Sequence, residues 1–169
     1  MSNPPKWLPE ALRYEDFKGD WDKFLEAVYK IFQRDFKHSR PNYGGHPLDY
    51  DSTLEDGKET VFWHITSSID RATKDRVPDL RRCERVPWPR PIIEHPGDEA
   101  LKVWRNRRTG ETRVLLWLDE LDYIVVLAEK PRVMVLVTAY CTDRKHTRRK
   151  LKREWDEYSE KQTPPSRAT

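Results

Sequence analysis

Between Leu101 and Tyr140 the chain reads LKVWRNRRTGETRVLLWLDELDYIVVLAEKPRVMVLVTAY, and the spacing of its β-forming runs limits how it can fold. Val103 with Trp104, Val114 to Leu118, Tyr123 to Leu127 and Val133 to Val137 are β-branched or aromatic runs. Between them stand only Arg108-Thr109-Gly110, Asp119-Glu120 and Glu129-Lys130-Pro131, residues suited to tight turns. Parallel pairing of neighbours needs a crossover of a dozen or more residues, so the runs are predicted to form a four-stranded antiparallel β-meander. The last two are almost wholly apolar, which calls for helices from elsewhere as cover.

Those helices are found on either side of the meander. From Asp20, a predicted N-cap, Trp21, Phe24, Leu25, Val28, Tyr29, Ile31, Phe32 and Phe36 recur at helical spacing, giving a helix over 21–37. Lys58 to Ile69 fits a helix or a strand, with the helix preferred. Asp79 to Arg85 follows Pro78 as a short helix. The alternate prolines of Val86-Pro87-Trp88-Pro89-Arg90-Pro91 exclude a helical interior, and Ile92, Ile93 and His95 follow as a helical turn. Tyr43, Leu48 and Tyr50 suit a short edge strand or extended piece. After the meander, Asp143 is predicted to cap a helix running to about Glu160, with Thr147, Leu151, Trp155 and Tyr158 as its buried stripe. A length of 169 residues suits one domain. The expectation is therefore a single α+β domain over 21–160, an irregular N-terminal arm over 1–20 that packs through its aromatics, and a frayed tail over 161–169.

The charged fraction, 36%, equals the hydrophobic fraction, but seven Trp, seven Tyr and five Phe argue for an aromatic core rather than disorder. Net charge is +3, and its uneven spread matters more. Arg71 to Arg90 and Arg144 to Arg153 are basic blocks, whereas Asp49 to Glu59 is acidic. Basic blocks favour a phosphate-bearing partner, although solvated helix faces carry the same residues. Two isolated cysteines, Cys83 and Cys141, lack zinc spacing and suit a reduced compartment. No apolar run is long enough for a signal or a membrane span, so a cytoplasmic protein without a membrane partner is expected.

Nucleotide-loop, serine-hydrolase and zinc-protease motifs are absent, and chemistry must come from dispersed residues. Arg81 and Arg85 share a helical face with Arg82 beside them, a cationic fork suited to a phosphodiester. The same arginines would also serve a salt-bridge network with Glu84, Glu94 or the acidic segment near Asp51. Trp88, next to them, would stack a base or cover the sheet. Trp63 and Arg90 are further candidates for substrate contact. His64 beside Trp63 is a candidate proton carrier or a hydrogen-bonded core histidine. Alternation places Thr138 and Tyr140 on one face of the last strand, either as a solvated strand end or as part of a site.

The RRCERVPWPRPIIEH segment, the meander after it and the closing VTAY together resemble the barnase, EndoU, colicin and RelE superfamily of metal-independent RNases, toxin types in particular. The resemblance covers roughly 58–155. It implies RNA cleavage by the substrate's own 2′-hydroxyl to a 2′,3′-cyclic phosphate, without a cofactor or metal. It further implies that His64 or His95 moves a proton, that Arg82 and Arg85 hold the phosphate, and that Thr138 and Tyr140 line the sheet face beside it. Glu84 is a second candidate base. The closing strand lacks the histidine that several members use as general acid. RNA and a protein antitoxin or inhibitor are the implied partners. The competing expectation is a non-catalytic nucleic-acid-binding or protein-interaction module.

Overall fold

A computed structural model describes residues 3–162. In chain order the elements are α1 (Trp21–Phe32), β1 (Asn42–Tyr43), β2 (His46–Tyr50), β3 (Leu54–Glu55), β4 (Lys58–Glu59), α2 (Thr60–Thr66), β5 (Ser67–Ile69) and β6 (Arg76–Pro78). There follow α3 (Leu80–Glu84), α4 (Pro89–Glu94), β7 (Lys102–Arg108), β8 (Glu111–Leu118), β9 (Tyr123–Glu129), β10 (Met134–Cys141) and α5 (Lys145–Gln162).

The expected meander is present as β7 to β10, each strand antiparallel to the next. The β7–β8 hairpin turns on Thr109 and Gly110, with φ of +50° and +76°. Positive φ at both central residues is what a two-residue turn needs to match strand twist, and glycine takes the second position without strain.

The sheet nevertheless has six strands, in the order β1-β2-β10-β9-β8-β7, which corrects the four-stranded expectation. Strand β2 lies parallel to β10, Leu48 opposite Met134 and Tyr50 opposite Leu136. Parallel pairing is open to β2 because the chain between it and β10 is long enough to cross over. Beyond Leu136 the β9–β10 register shifts at Val137, a β-bulge, and the recorded β2 pairing ends there too. Two further ribbons, β3 with β4 and β5 with β6, stand apart from the sheet.

Both faces of the sheet are covered. Val114, Leu116, Tyr123, Val125 and Leu127 face the main core with Phe24, Val28 and Phe32 of α1 and Val61, Phe62 and Ile65 of α2. The alternate residues Leu115, Trp117, Ile124 and Val126 join Trp104 and Leu151 in a second core beneath α5. Burial on both sides explains why β9 reads as a continuous apolar run. The N-terminal arm packs Trp7, Leu8, Leu12, Tyr14 and Phe17 on the main core, and Tyr14–Phe17 form a 3₁₀ turn. Among the described residues, no helix is long and apolar enough to cross a membrane.

Several local expectations need correction. The helix starts where expected, with Asp20 accepting from the Lys23 amide at 3.1 Å, but the α-helical part ends at Phe32 and a π-turn carries the chain to Lys37. Residues 58–69 divide into strand, helix and strand rather than one helix. Pro89 and Pro91 sit inside α4, tolerated because amides of the first turn have no acceptor within a helix. Asp143 lies two residues before α5, and its carboxylate pairs with Arg81. Helix α5 continues to Gln162; the rest of the expected frayed tail lies outside the described residues.

Leu151 is 3% exposed, and it is the buried α5 residue that anchors the second core. Leu151→Ala is expected to cost about 2–5 kcal/mol of stability. Urea unfolding followed by Trp fluorescence checks this, and a cost below about 1 kcal/mol would contradict α5 as a packed layer of the sheet.

Candidate nucleic-acid interface

The site begins at the end of α2, because the last carbonyls of any helix lack partners inside it. Here the first of them are met within the turn and the later ones from outside. The Phe62 carbonyl accepts from Thr66 Oγ1 at 2.7 Å and the Trp63 carbonyl from the Ser67 amide. The His64 carbonyl accepts from Arg82 Nη1 at 3.2 Å and from Thr138 Oγ1 at 3.0 Å. Arg82 Nη1 also reaches the Ser67 carbonyl at 2.6 Å, and Arg76 Nη1 reaches it at 3.4 Å. Cations at a helix C-terminus are also favoured by the helix dipole.

Helix α3 brings Arg82 to this position. Its N-cap Asp79 accepts from the Arg82 amide at 3.2 Å, and the Asp79 carboxylate stands 3.6 Å from Arg82 Nε. The Asp79 amide donates to the Thr66 carbonyl at 2.9 Å, locking α3 to α2. Behind it, Cys83 is fully buried, and burial pushes its thiol up to about 12. The guanidinium of Arg82 lies over the Tyr140 ring, 5.6 Å from its centroid.

Three adjoining compartments open along this line. The smallest, about 280 Å³, is lined by His64, Ser67, Arg76, Arg82, Val137 and Thr138, among others. Across Arg82, Ser68 and Ile69 it adjoins one of about 820 Å³ that takes in Arg71, Arg81, Tyr140, Cys141 and Arg144. Tyr140 and Thr147 are shared in turn with a third of about 300 Å³, between β7 and α5. The walls carry seven arginine or lysine side chains against four carboxylates. Of those carboxylates, Asp143 is paired with Arg81 at 2.7 Å, a hydrogen bond that holds its carboxyl below the usual range. Burial raises the Tyr140 phenol, and the nearby Arg108 charge only partly opposes this, so the ring is neutral at physiological pH.

His64, Arg82, Thr138, Tyr140 and Arg81 therefore line one groove although they are far apart in sequence. The other candidates are placed elsewhere. Arg85 stacks over Trp88 at 5.2 Å and bonds to the Arg81 carbonyl on the side of the N-terminal arm. Glu84 accepts from the Tyr14 amide at 3.0 Å, and its carbonyl from the Leu12 amide at 2.7 Å, so it anchors that arm. His95 stacks on Trp7 with ring centroids 4.6 Å apart and bonds the Pro91 carbonyl. Trp88 is 8% exposed, packs edge-on against Tyr123 and donates to the Pro9 carbonyl, so it covers the sheet. Arg90 ties α4 to the π-turn through the Asp35 carbonyl at 2.7 Å and pairs with Glu94. Trp63 donates to the Glu55 carbonyl at 2.8 Å and lies beneath Lys58.

Arg71, Arg76, Arg144 and Lys150 were visible only as members of basic blocks. One local feature could have found the first two. Asp70 accepts from the amides of Ala72 and Thr73, which folds the β5–β6 ribbon and turns Arg71 and Arg76 towards the groove. Among the described residues, no three His, Cys, Asp or Glu side chains cluster at metal-binding spacing.

Since Arg82 satisfies two carbonyls, Arg82→Ala is expected to cost about 1–3 kcal/mol of stability, measured by urea unfolding. A variant as stable as the native chain would show that these bonds contribute nothing. Comparisons with protein-family models, curated proteins and solved structures find no match for this chain.

Proposed function

We propose that the protein is a metal-independent endoribonuclease of toxin type, working in a reducing cytoplasm and held in check by a dedicated protein inhibitor. The observation that carries the reading is the meeting of His64, Arg82 and Tyr140 in one cation-rich groove. Guanidinium groups bind phosphate oxygens bidentately and remain charged at any physiological pH. The free thiols Cys83 and Cys141 suit a reducing compartment.

In this reading the scissile phosphodiester lies against Arg82. His64 takes the proton of the 2′-hydroxyl, whose oxygen attacks phosphorus. The bond to the 5′-oxygen breaks, and Tyr140, kept protonated by its burial, gives the leaving oxygen a proton. A 2′,3′-cyclic phosphate and a 5′-hydroxyl are formed. Charge grows on the nonbridging oxygens along the way, and Arg82 with its neighbours opposes that charge. Thr138 positions the site by holding the His64 carbonyl.

One observation favours a second reading. Arg82 Nη1 and the Thr138 hydroxyl are both already engaged with backbone carbonyls, as they would be in a module that grips RNA without cutting it.

The two readings separate on a defined single-stranded RNA. The enzyme is expected to cut it in the presence of EDTA, to leave 2′,3′-cyclic phosphate ends, and to spare a substrate whose 2′-hydroxyl is replaced by hydrogen. His64→Ala and Tyr140→Phe should each lower the rate by about 10²–10⁴-fold. Cys141 lines the groove, so bound RNA should slow its alkylation by iodoacetamide in either reading. Protection of Cys141 without any cleavage would select the binding module, and neither effect would exclude RNA as the partner. Expression of the chain alone should arrest growth, and His64→Ala should relieve the arrest.

A further inference from the structure

We propose that the compartment between β7 and α5 is a second phosphate subsite of the groove, so that the protein holds a single RNA strand extending several nucleotides from the cleaved step. This rests on the ribonuclease reading.

Continuity is the first support. The third compartment shares Tyr140 and Thr147 with the large one, which shares Arg82 with the small one, so a strand lying on Arg82 has an unbroken path to Arg108, His146 and Lys150. Tyr140 stands at the junction, with the Arg82 guanidinium over its ring and Arg108 close enough to act on its phenol. An aromatic ring between two cations matches a strand whose bases stack while its phosphates are neutralised.

Unspent charge is the second. Among the described residues Arg108 and Lys150 stand in no ion pair, as do Lys152 and other cations outside the groove, and what sets these two apart is that both line the same compartment. Glu154, the acid of the third compartment, is engaged by Asn106 Nδ2 at 3.0 Å.

The third support is where the cations sit on α5. Its first turns carry Lys145, His146, Arg148, Arg149 and Lys150, with no acidic residue in the first turn. Cations there oppose the helix dipole and one another, a placement that costs stability. Of these, Arg148 is used internally, bonding the Asp119 carbonyl and the Asp122 carboxylate. Lys150 instead lines the groove, where a polyanion would relieve the repulsion.

A single strand fits better than a duplex. The compartments, of about 280, 820 and 300 Å³, adjoin in a row through shared wall residues, the smallest being the most open and the other two deeper. Hollows accept bases splayed from a strand, whereas double-stranded RNA is read across a broad shallow groove.

The test is the salt dependence of binding to a 2′-O-methylated RNA of about twelve nucleotides, which cannot be cut by 2′-hydroxyl attack; each phosphate contact contributes about 0.7 to the slope of log K against log salt. The double variant R108Q/K150Q is expected to lower the slope by about 1.4 relative to the native chain. Lys152→Gln is the control, since Lys152 is exposed and lines none of the three compartments. Its slope should stay within about 0.3 of native. A double variant whose slope matches that of K152Q overturns the subsite, even if the protein cleaves RNA. The expected loss of slope in a protein that binds but never cuts RNA upholds the subsite and sinks the ribonuclease reading. No binding by the native chain overturns both.

Discussion

The end of α2 is the point on which the groove depends. A seven-residue helix is too short to hold its own geometry, and its His64 and Thr66 carbonyls are met from outside. Thr138 of β10, Arg82 of α3 and Arg76 of β6 all meet there. Each comes from a different part of the chain, so this one backbone turn fixes the sheet edge, the arginine helix and the ribbon relative to each other. His64 gains its place in the groove as a by-product of that requirement.

One consequence is that, on the proposed reading, stability and chemistry would not be separable at Arg82. The same Nη1 that holds two carbonyls belongs to the guanidinium lying over Tyr140. His64 is different: its carbonyl is bonded to Arg82 and Thr138, while its imidazole, within electrostatic reach of Asp51, is the group the proposed mechanism would use. A comparison of the two positions therefore says more about mechanism than either alone.

The parts of the fold that depend on local pattern were legible. The meander followed from turn spacing, α1 from its apolar period and Asp20, and α5 from the stripe ending at Trp155 and Tyr158. What was not legible was non-local. His46–Tyr50 holds one fully buried residue, Leu48, and nothing in its sequence says that it will lie parallel to a strand more than eighty positions later. Within the site, residue type revealed charge but not direction. Arg81, Arg82 and Arg85 look alike in sequence, yet one turn of helix sends Arg82 to the groove and Arg85 to the N-terminal arm. Trp88 was open to either use, and Tyr123 across the core from it decides for cover.

The bulge at Val137 gives β10 two reading frames. Before it, Met134 and Leu136 face the main core; after it, Ala139 and Cys141 do, an odd interval later. Without the extra residue, strict alternation would carry Thr138 and Tyr140 into that apolar layer and turn Ala139 outwards. The side chains that make the groove polar would then be buried without partners. A single inserted residue thus sets the phase of the strand, and the phase decides whether its final turn is part of a core or part of a surface that can meet a ligand.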